Sequence, residues 1–595
     1  MPLDVRDRLW ESPGPAQSGP GAPRLLIVYP ETGMEPYGGA ALRYMGRVEP
    51  EDAAVTLNGD AVRVWPGGLF SGVRPIRGRG AAEWKFRASR GGRATVVTRT
   101  IPIRPPTPPA PAWPLAFYAS PVRPAGSYWI PAGETLPVTL YASSGHRAQA
   151  RIGQGGPWLD MAPAGDDPRR GGVYRIDLSP PPLRPNELAP VYFRLSGSRG
   201  GQERTIELPS SLRVGSEPDE EFFVARVGAE FASFLKEPTG WVRWGNIVQG
   251  TYAPFFEIRG DRLFMDFDHG QRGWLELSAL DMPAAPRDFL LPQLRGGLNF
   301  ESDRQTLRLS MPGQADPVAF VFEEQSENPA RIRLTLTGAS TLIVPPPAAA
   351  YGTFSVDQWT SGSRGEAPAL ELTSTRPLWG FGSEIQPNGE FSLFVRSAPA
   401  LSGATPAQPL RGLRIMVDAG HGGRDPGAFG ASGIAEADVN LVAAAWLERS
   451  LADLGAEVLQ VRRGDEYVGL DSRVNDALDY DPDLFISVHH NSVGSAEDPT
   501  ADSGPIVFYH YEHSRPLGEA VEARLVEAFG AGREARVTPQ NFRVNRNISP
   551  CPSILIEGGY LCNPADEAKL RDTAWIRKSA EAVARGVADY VGTMR

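Results

Sequence analysis

Short apolar segments alternate with longer segments of helical periodicity through residues 411–595. The apolar segments, residues 414–417, 484–488 and 553–556, are four or five residues long, which suits strands that are buried on both faces. The longer segments between them suit helices that connect one parallel strand to the next. The pattern therefore predicts an α/β domain with a largely parallel sheet that helices cover on both faces.

Side chains that can bind a metal or move a proton stand beside these segments. They are His421 in the glycine-rich turn DAGHGG, Glu436 in the first turn of the predicted helix GIAEADVNL, His489 at the end of DLFISVHHN, and Glu557 directly after SILI. Sites in open α/β sheets gather at the carboxyl ends of the strands. We therefore expect the four side chains to meet at one edge of the sheet.

Two imidazoles and one carboxylate suit Zn²⁺ with one position left open, which is typical of catalytic rather than structural zinc. This predicts His421, Glu436 and His489 as ligands and Glu557 as the general base and acid. Taken singly, a loop histidine is more often a hydrogen-bonded structural residue, and an acid in the first turn of a helix usually complements the dipole. The joint pattern favours the metal site.

Residues 413–593 resemble the zinc-dependent N-acetylmuramoyl-L-alanine amidases. The motifs DAGHGGRDPGA, GIAEADVNL, ISVHHNS and ILIEGGYLCNPADE occur in the order of that family. The resemblance implies hydrolysis of the amide bond between N-acetylmuramic acid and L-alanine in peptidoglycan. It also implies Zn²⁺ as cofactor, with His421, Glu436 and His489 as its ligands and Glu557 as the catalytic acid and base.

Two further residues are predicted to bind substrate. Arg546 resembles an arginine that the family keeps near its substrate groove, although a surface salt bridge is an equal alternative. Asn491 is the asparagine of the ISVHHNS motif. His490 is predicted to point away from the metal, because successive residues of a strand face opposite sides.

Three charged residues are candidates for support of the glycine-rich turn. Asp418 stands directly before it and could orient a ligand histidine or the loop backbone; the alternative is an ordinary acidic turn residue. Arg463 and Arg473 lie in VRRGDEYVGLDSRVNDA and are predicted to brace the loop between strand and helix. Both arginines are expected to have a structural rather than a catalytic role.

The first 410 residues have a different pattern, in which short alternating segments are separated by Gly and Pro, of which the chain has 65 and 57. We expect a multidomain chain with several all-β modules ahead of the α/β domain. The predicted order is a disordered N-terminus (1–22), an Ig-like β module (23–103), a Pro-rich linker (104–114), a β-sandwich module (115–215), a small β-barrel module (220–283), an AMIN-like β domain (288–396), a linker (397–410) and the zinc amidase catalytic domain (411–595). The modules would target the enzyme to the cell envelope rather than build its site.

Charge and hydropathy narrow the functional class. The net charge is −10 and no basic stripe is present, which argues against nucleic acid as a partner. No apolar run reaches the length of a membrane span, and residues 1–22 contain no apolar core of a signal peptide. The resemblance nevertheless implies the cell envelope, the periplasm or the extracellular space. Cys551 and Cys562 flank a predicted strand that would hold them too far apart to bond.

Two alternatives to an amidase remain: a zinc peptidase of another specificity and a catalytically inactive envelope-binding scaffold. The complete set of site residues argues against the scaffold, and the full series of motifs argues against the peptidase. Residues 492–504 follow the ISVHHN strand and are rich in Gly, Ser, Asp and Pro. This segment is predicted to be a surface loop that leaves the substrate groove open.

Overall fold

The structure is a computed structural model that describes residues 21–594 of the chain. The gaps in this range are residues 38, 78–79, 105–107, 131–133, 180–187, 200–201, 217–222, 229–230, 236–242, 249–250, 256, 261, 268–270, 282–298, 303–304, 311–319, 328–329, 337–349, 361–368, 386, 389, 402 and 530–535. The predicted disordered N-terminus lies almost entirely outside the described residues, and so do parts of the predicted 104–114 linker, barrel and AMIN-like domain.

The first β region is a pair of antiparallel sheets, which we name the first sandwich. Its strands are β1 (Arg24–Tyr29), β2 (Ala41–Glu49), β3 (Ala54–Leu57), β4 (Asp60–Val62), β5 (Leu69–Pro75), β6 (Ala81–Arg90) and β7 (Arg93–Pro102). The sheet orders are β1-β2-β5 and β4-β3-β6-β7. Alternate side chains of β6, including Trp84 and Phe86, are buried between the sheets, as expected for strands with one face in a core.

The second β region contains a long sheet that crosses a predicted domain boundary. Its strands are β8 (Phe117–Arg123), β9 (Ser127–Ile130), β10 (Leu136–Ala142), β11 (Arg147–Ile152), β12 (Leu159–Asp160), β13 (Ala162–Asp167), β14 (Gly171–Leu178), β15 (Ala189–Arg199), β16 (Gln202–Ser216), β17 (Phe223–Val227), β18 (Phe231–Leu235), β19 (Arg243–Val248), β20 (Tyr252–Phe255), β21 (Glu257–Gly260), β22 (Arg262–Phe267), β23 (Gln271–Glu276) and β24 (Leu280–Asp281). Because β9 pairs with β21, strands of the predicted sandwich and of the predicted barrel share one ten-stranded sheet.

The third β region precedes the C-terminal domain. Its strands are β25 (Asn299–Ser302), β26 (Thr306–Ser310), β27 (Val321–Glu327), β28 (Ala330–Thr335), β29 (Ala350–Tyr351), β30 (Phe354–Thr360), β31 (Ala369–Ser374), β32 (Leu378–Ile385) and β33 (Phe391–Ser397). They form the sheets β25-β26-β33-β32 and β27-β28-β31-β30-β29, which enclose a common apolar core. We name this pair the third sandwich.

The C-terminal domain is built on one six-stranded sheet. Its strands are β34 (Arg414–Ala419), β35 (Glu457–Gln460), β36 (Leu484–Asn491), β37 (Ile506–Tyr509), β38 (Arg536–Pro539) and β39 (Ser553–Tyr560), in the order β35-β34-β36-β39-β37-β38. Every neighbouring pair is parallel except β37 with β39, which is antiparallel. The sheet that the sequence predicts as largely parallel is thus mixed, because β37 and β38 at one edge run opposite to the other four strands.

Six α-helices accompany this sheet. They are α1 (Glu436–Asp453), α2 (Leu470–Tyr480), α3 (Arg515–Phe529), α4 (Arg543–Asn547), α5 (Pro564–Leu570) and α6 (Thr573–Gly592). On one face, Val488 of β36 lines an apolar cavity together with residues of α1, α3 and α6. On the other face, Ser487 donates to Asp418, which pairs with Arg473 of α2. Since Ser487 and Val488 are consecutive in one strand, the two groups of helices lie on opposite faces.

The sheet contacts two β regions near its two opposite ends. Trp379 and Ala398, from the third sandwich and its edge, are buried in the core of the C-terminal domain. Trp379 donates to the carbonyl of Asp483, which precedes β36, and the backbone of Phe381 donates to Ser549, which precedes β39. The third sandwich therefore lies at the amino ends of these strands.

The first sandwich lies near the carboxyl ends. Its core continues into Ala431, Tyr560 and Cys562 of the C-terminal domain, and Phe429 and Val493 pack against it. Tyr560 is the last residue of β39. Residues of two β regions therefore pack against the C-terminal domain, one region at each end of its strands.

Two smaller predictions can be compared with the described residues. Cys551 and Cys562 are both buried and unbonded, in agreement with the separation that the sequence predicts. Among the described helices, none has the length and apolar character needed to cross a membrane.

Candidate functional site

A tight glycine-rich turn carries His421 beyond the end of β34. His421 has a positive φ of 59°, and glycines 422 and 423 that follow have positive φ as well, so the chain reverses sharply after Gly420. A Cβ atom at Gly420 would lie 2.1 Å from the His489 imidazole. Glycine is therefore required at position 420 for the two histidines to come together.

Three of the predicted site residues converge at this turn. Glu436 Oε1 lies 3.2 Å from His421 Nε2 and 3.0 Å from His489 Nδ1. The two imidazole rings meet edge to face with their centroids 4.9 Å apart. One donor atom from each residue lies within 4.8 Å of the other two. The histidines remain partly open to solvent, whereas Glu436 is buried.

Glu436 is held in place by further donors. Its Oε2 accepts the backbone N–H of Ala428 at 2.9 Å, and its Oε1 accepts the Asn440 amide at 3.2 Å and the His490 backbone N–H at 3.3 Å. Asn440 is one turn further along α1 and also donates to the carbonyl of Gly420. Helix α1 therefore fixes both the carboxylate and the start of the glycine-rich turn.

Asp425 orients His421 from the side away from Glu436. Its Oδ2 lies 2.9 Å from His421 Nδ1, and this contact turns Nε2 toward the other site residues. The sequence analysis did not identify Asp425. A signal was present, because an acid four residues after a turn histidine lies within reach of its ring when the turn is tight.

The histidines and carboxylates of the cluster shift one another's pKa values toward their charged forms. Burial lowers the pKa of His421, but the hydrogen bonds and charges of Glu436 and Asp425 outweigh it and raise the pKa to about 9. Burial raises the pKa of Glu436, yet the hydrogen bonds from His421 and His489 hold it well below its usual range. Glu436 is therefore an anion at neutral pH, and the cluster has a charged acceptor in its centre.

Glu557 lies beside the cluster in the neighbouring strand, where it pairs in register with His489. Its Oε2 is buried and has no hydrogen-bond partner among the residues that the structure describes. Burial raises the pKa of Glu557 to about 7, against the lowering effect of His489. A carboxyl group with this pKa can both accept and donate a proton near neutral pH.

Two buried arginines hold the backbone of the glycine-rich turn. Arg473 forms a buried ion pair with Asp418 and donates to the carbonyls of Ala419 and His421 at 2.8 and 2.7 Å. Arg462 donates to Ala419, Gly420, Ala437 and Gly464. Arg473 has the bracing role that the sequence predicts, and Asp418 acts on the loop through it.

The partner of Arg473 in this role is Arg462 and not the predicted Arg463. Arg463 is exposed and pairs with Glu448 on the surface of α1. The two arginines are consecutive in the segment that follows β35, and their roles differ because their side chains point in different directions. Arg462 is 2% exposed, so its guanidinium is committed to backbone carbonyls.

The remaining predicted residues lie nearby in different settings. His490 is buried on the opposite face of β36 from His489, with Nδ1 2.8 Å from Asn440 Oδ1. Asn491 ends β36, and its side chain accepts the backbone N–H of Ser492. Arg546 is buried in α4 and donates to the side chain and backbone of Asn541. A role in substrate binding for Asn491 and Arg546 stays a prediction.

The donor set fits a zinc ion. Two imidazole nitrogens and a carboxylate oxygen that is already anionic converge, and one of the imidazoles is oriented by a carboxylate on its other nitrogen. The unpartnered oxygen of Glu557 lies next to them and is available for a water or a substrate. The types and positions of the donor atoms therefore fit a zinc ion.

The C-terminal domain was compared with known families and proteins. The family model for N-acetylmuramoyl-L-alanine amidase matches residues 415–589. An uncharacterised protein, YqiI of Bacillus subtilis, is 34% identical over 187 residues, which are 31% of this chain and 89% of YqiI. The N-acetylmuramoyl-L-alanine amidase LytC of the same organism is 31% identical over 201 residues, which are 33% of this chain and 40% of LytC.

A solved structure, that of the N-acetylmuramoyl-L-alanine amidase AmiC2 of Nostoc punctiforme, is 31% identical and has a TM-score of 0.28, covering 30% of this chain and 97% of AmiC2. The chain thus spans most of YqiI but less than half of LytC, and all of these matches cover about a third of its own length. The predicted resemblance is confirmed. Through its C-terminal domain, this chain belongs to the N-acetylmuramoyl-L-alanine amidase family.

Proposed function

We propose that this chain is a zinc-dependent enzyme of the cell envelope that hydrolyses the amide bond between N-acetylmuramic acid and L-alanine in peptidoglycan. The observation that carries the proposal is the convergence of His421, Glu436 and His489 beside Glu557, inside a domain of the amidase family; Glu557 Oε2 has no hydrogen-bond partner among the described residues. In this proposal the enzyme remodels the wall or separates daughter cells.

His421, Glu436 and His489 would hold the zinc ion. When bound, Zn²⁺ supplies Lewis acidity toward the scissile carbonyl and lowers the pKa of a water near it. Asp425 keeps the His421 ring in the tautomer that leaves Nε2 free to bind. Arg462 and Arg473 keep the backbone of the turn fixed while the site works.

Glu557 performs the proton transfers. Its carboxylate accepts a proton from the attacking water and returns it to the nitrogen of L-alanine as the amide bond breaks. The return is necessary because an amine cannot leave as an anion. A pKa of about 7 allows one group to perform both transfers with little cost at neutral pH.

The test is an assay of the purified full chain on peptidoglycan. We expect release of the amino group of L-alanine without new reducing sugar ends, and loss of that release after chelation of zinc. Release of amino groups from other peptide bonds would instead identify a peptidase. An inert chain that still binds sacculi would identify a scaffold.

Variants separate the metal from the proton transfer. The substitution His421→Ala should remove zinc and activity together. Glu557→Gln should keep stoichiometric zinc and lose about 10²–10⁴-fold in turnover, the usual contribution of general acid–base catalysis. Glu581→Gln, at an exposed ion pair with Arg577 on α6, is the matched control and should match the unmodified chain. Loss of zinc from the Glu557→Gln variant would make Glu557 a ligand.

A further inference from the structure

Arg43 of the first sandwich reaches across to the C-terminal domain. It is the third residue of β2 and is 8% exposed. Its Nη1 donates to Ser492 Oγ at 3.0 Å and to the carbonyl of Val493 at 2.9 Å. Its backbone N–H donates to the carbonyl of Ser495 at 2.8 Å. One residue therefore makes three hydrogen bonds to residues 492–504, which we name the site loop.

These contacts give the buried guanidinium of Arg43 the polar partners that it needs. Its guanidinium carbon lies 4.7 Å from the centroid of the Tyr29 ring, and Tyr29 itself hydrogen-bonds Ser495. Among the described residues, no carboxylate forms an ion pair with Arg43. Oxygens of the site loop are therefore polar partners that a largely buried cation requires, and loss of the contact would leave the charge without them.

Apolar contacts continue the same attachment. Val493 and Ile506, at the start and just beyond the end of the site loop, pack against the core of the first sandwich. The backbone N–H of Val493 donates to the sulfur of Cys562, which is buried in that core. The site loop has no helix and exposes its middle residues to solvent. The first sandwich holds the first residues of the loop, while Asn563 and Asp566 hold its end through the carbonyl of Asp502 and the backbone N–H of Gly504.

The site loop joins β36, which carries His489, to β37, which pairs with the Glu557 strand β39. It begins directly after Asn491, two residues beyond His489, and it ends before Ile506, which pairs in register with Glu557. The backbone of Asn491 is in turn hydrogen-bonded to Leu561, just past the end of β39. A shift of the site loop would therefore move the edge of the site next to His489 and Glu557.

We propose that Arg43 is a positioning residue of the amidase site, and that the first sandwich holds the site loop as one wall of the groove that binds the glycan and stem peptide. This inference rests on the proposed function and deepens it. The exposed serine, glutamate and aspartate side chains of the loop offer hydrogen bonds to the hydroxyls and amides of a muropeptide. Arg43 acts on these groups through the loop and does not touch the substrate.

The test compares three full-length variants on a soluble disaccharide pentapeptide. Arg43→Ala should raise KM about tenfold, the equivalent of one lost charge-assisted hydrogen bond, with kcat changed by less than about twofold and bound zinc unaltered. Arg43→Lys retains the charge and donors and should restore most of the loss. Arg74→Ala is the matched control, because Arg74 lies in β5 opposite Leu42, the neighbour of Arg43. Within the part of the chain that the structure describes, its side chain bonds to Leu57 and Asp60 of its own sandwich.

Hydrogen exchange supplies a readout that is independent of activity. Amides of residues 492–504 should exchange faster in Arg43→Ala than in the unmodified chain or in Arg74→Ala. An unchanged KM in an active Arg43→Ala enzyme would overturn this inference alone, as would parallel loss of kcat and zinc, which would indicate a merely structural contact. An unmodified chain that releases no L-alanine amino group would contradict the proposed function itself, while exchange still reports whether Arg43 holds the loop.

Discussion

The buried carboxylate of Glu436 is in contact with most of the other residues of the site. One of its oxygens faces both histidines, and its donors include the Asn440 amide and the backbones of Ala428 and His490. A carboxylate restrained from so many directions cannot relax when one neighbour is changed. The ligands' supports therefore matter nearly as much as the ligands.

Asp425 provides the clearest test of this support. The substitution Asp425→Asn removes the charge that orients the His421 ring. We expect zinc affinity to fall about 10–100-fold, which is the usual effect of changing a residue that hydrogen-bonds a metal ligand. Competition with a chromophoric chelator measures the affinity. Asp453→Asn, at the exposed end of α1, is the control. Equal affinity in both variants would show that Asp425 does not orient the ligand.

The sequence predicts the chemistry of the site better than its supports. The positions of His421, His489 and Glu557 follow from the ends of apolar segments, since parallel strands bring those ends to one edge. Glu436 instead follows from the start of the helix α1. Asp425, Asn440 and Arg462 could not be assigned in that way. Their contacts depend on a left-handed turn at His421 and on side-chain directions, which no periodicity encodes.

At the scale of elements, long segments were predicted well and short ones were not. Helix α1 (Glu436–Asp453) has Glu436 in its first turn, as the sequence predicts. The short elements β38, α4 and α5 were not predicted. Helix α5 depends on tertiary contacts: Asn563 caps it, and its buried Glu567 accepts the backbone N–H groups of Ala431 and Ser432.

The buried pair between strand β34 and helix α2 is the element-level contact that we expect to matter most. Arg473→Gln leaves Asp418 buried without its cation, so the free energy of unfolding should fall by about 3–5 kcal/mol. Adding Asp418→Asn removes the stranded charge and should recover part of that loss. Denaturant melts of the two single variants and the double variant measure the coupling. Additive losses would show that the two side chains do not interact.

At the scale of the whole molecule, the β regions and the α/β domain were predicted as separate units joined by linkers. The structure instead places the third sandwich at the amino ends of β36 and β39 and the first sandwich near the carboxyl end of β39. Contacts between residues as distant as Arg43 and Ser492 leave no local pattern in a sequence. In the sequence, each surface that takes part in such a contact looks like any other apolar face, because nothing in it identifies the partner.

The contact at the amino ends should affect stability without affecting catalysis. Trp379 is 2% exposed, stacks on Tyr590 with ring centroids 5.4 Å apart and donates to Asp483. Trp379→Ala should cost about 3–5 kcal/mol, seen as a lower melting temperature, because it opens a cavity far from His421. Trp379→Phe keeps the stacking and should cost less. A change of KM in either variant at a temperature where it remains folded would show that the two ends of the sheet are coupled.

The core that the first sandwich shares with Ala431, Tyr560 and Cys562 has a consequence for how the chain is made. Domains usually fold in the order in which they leave the ribosome, the N-terminal one first. Here the first sandwich emerges with an open apolar face, and the residues that cover it are synthesised more than 300 positions later. During that interval the open apolar face can self-associate, so we expect chaperones that bind nascent chains to raise the yield of folded protein.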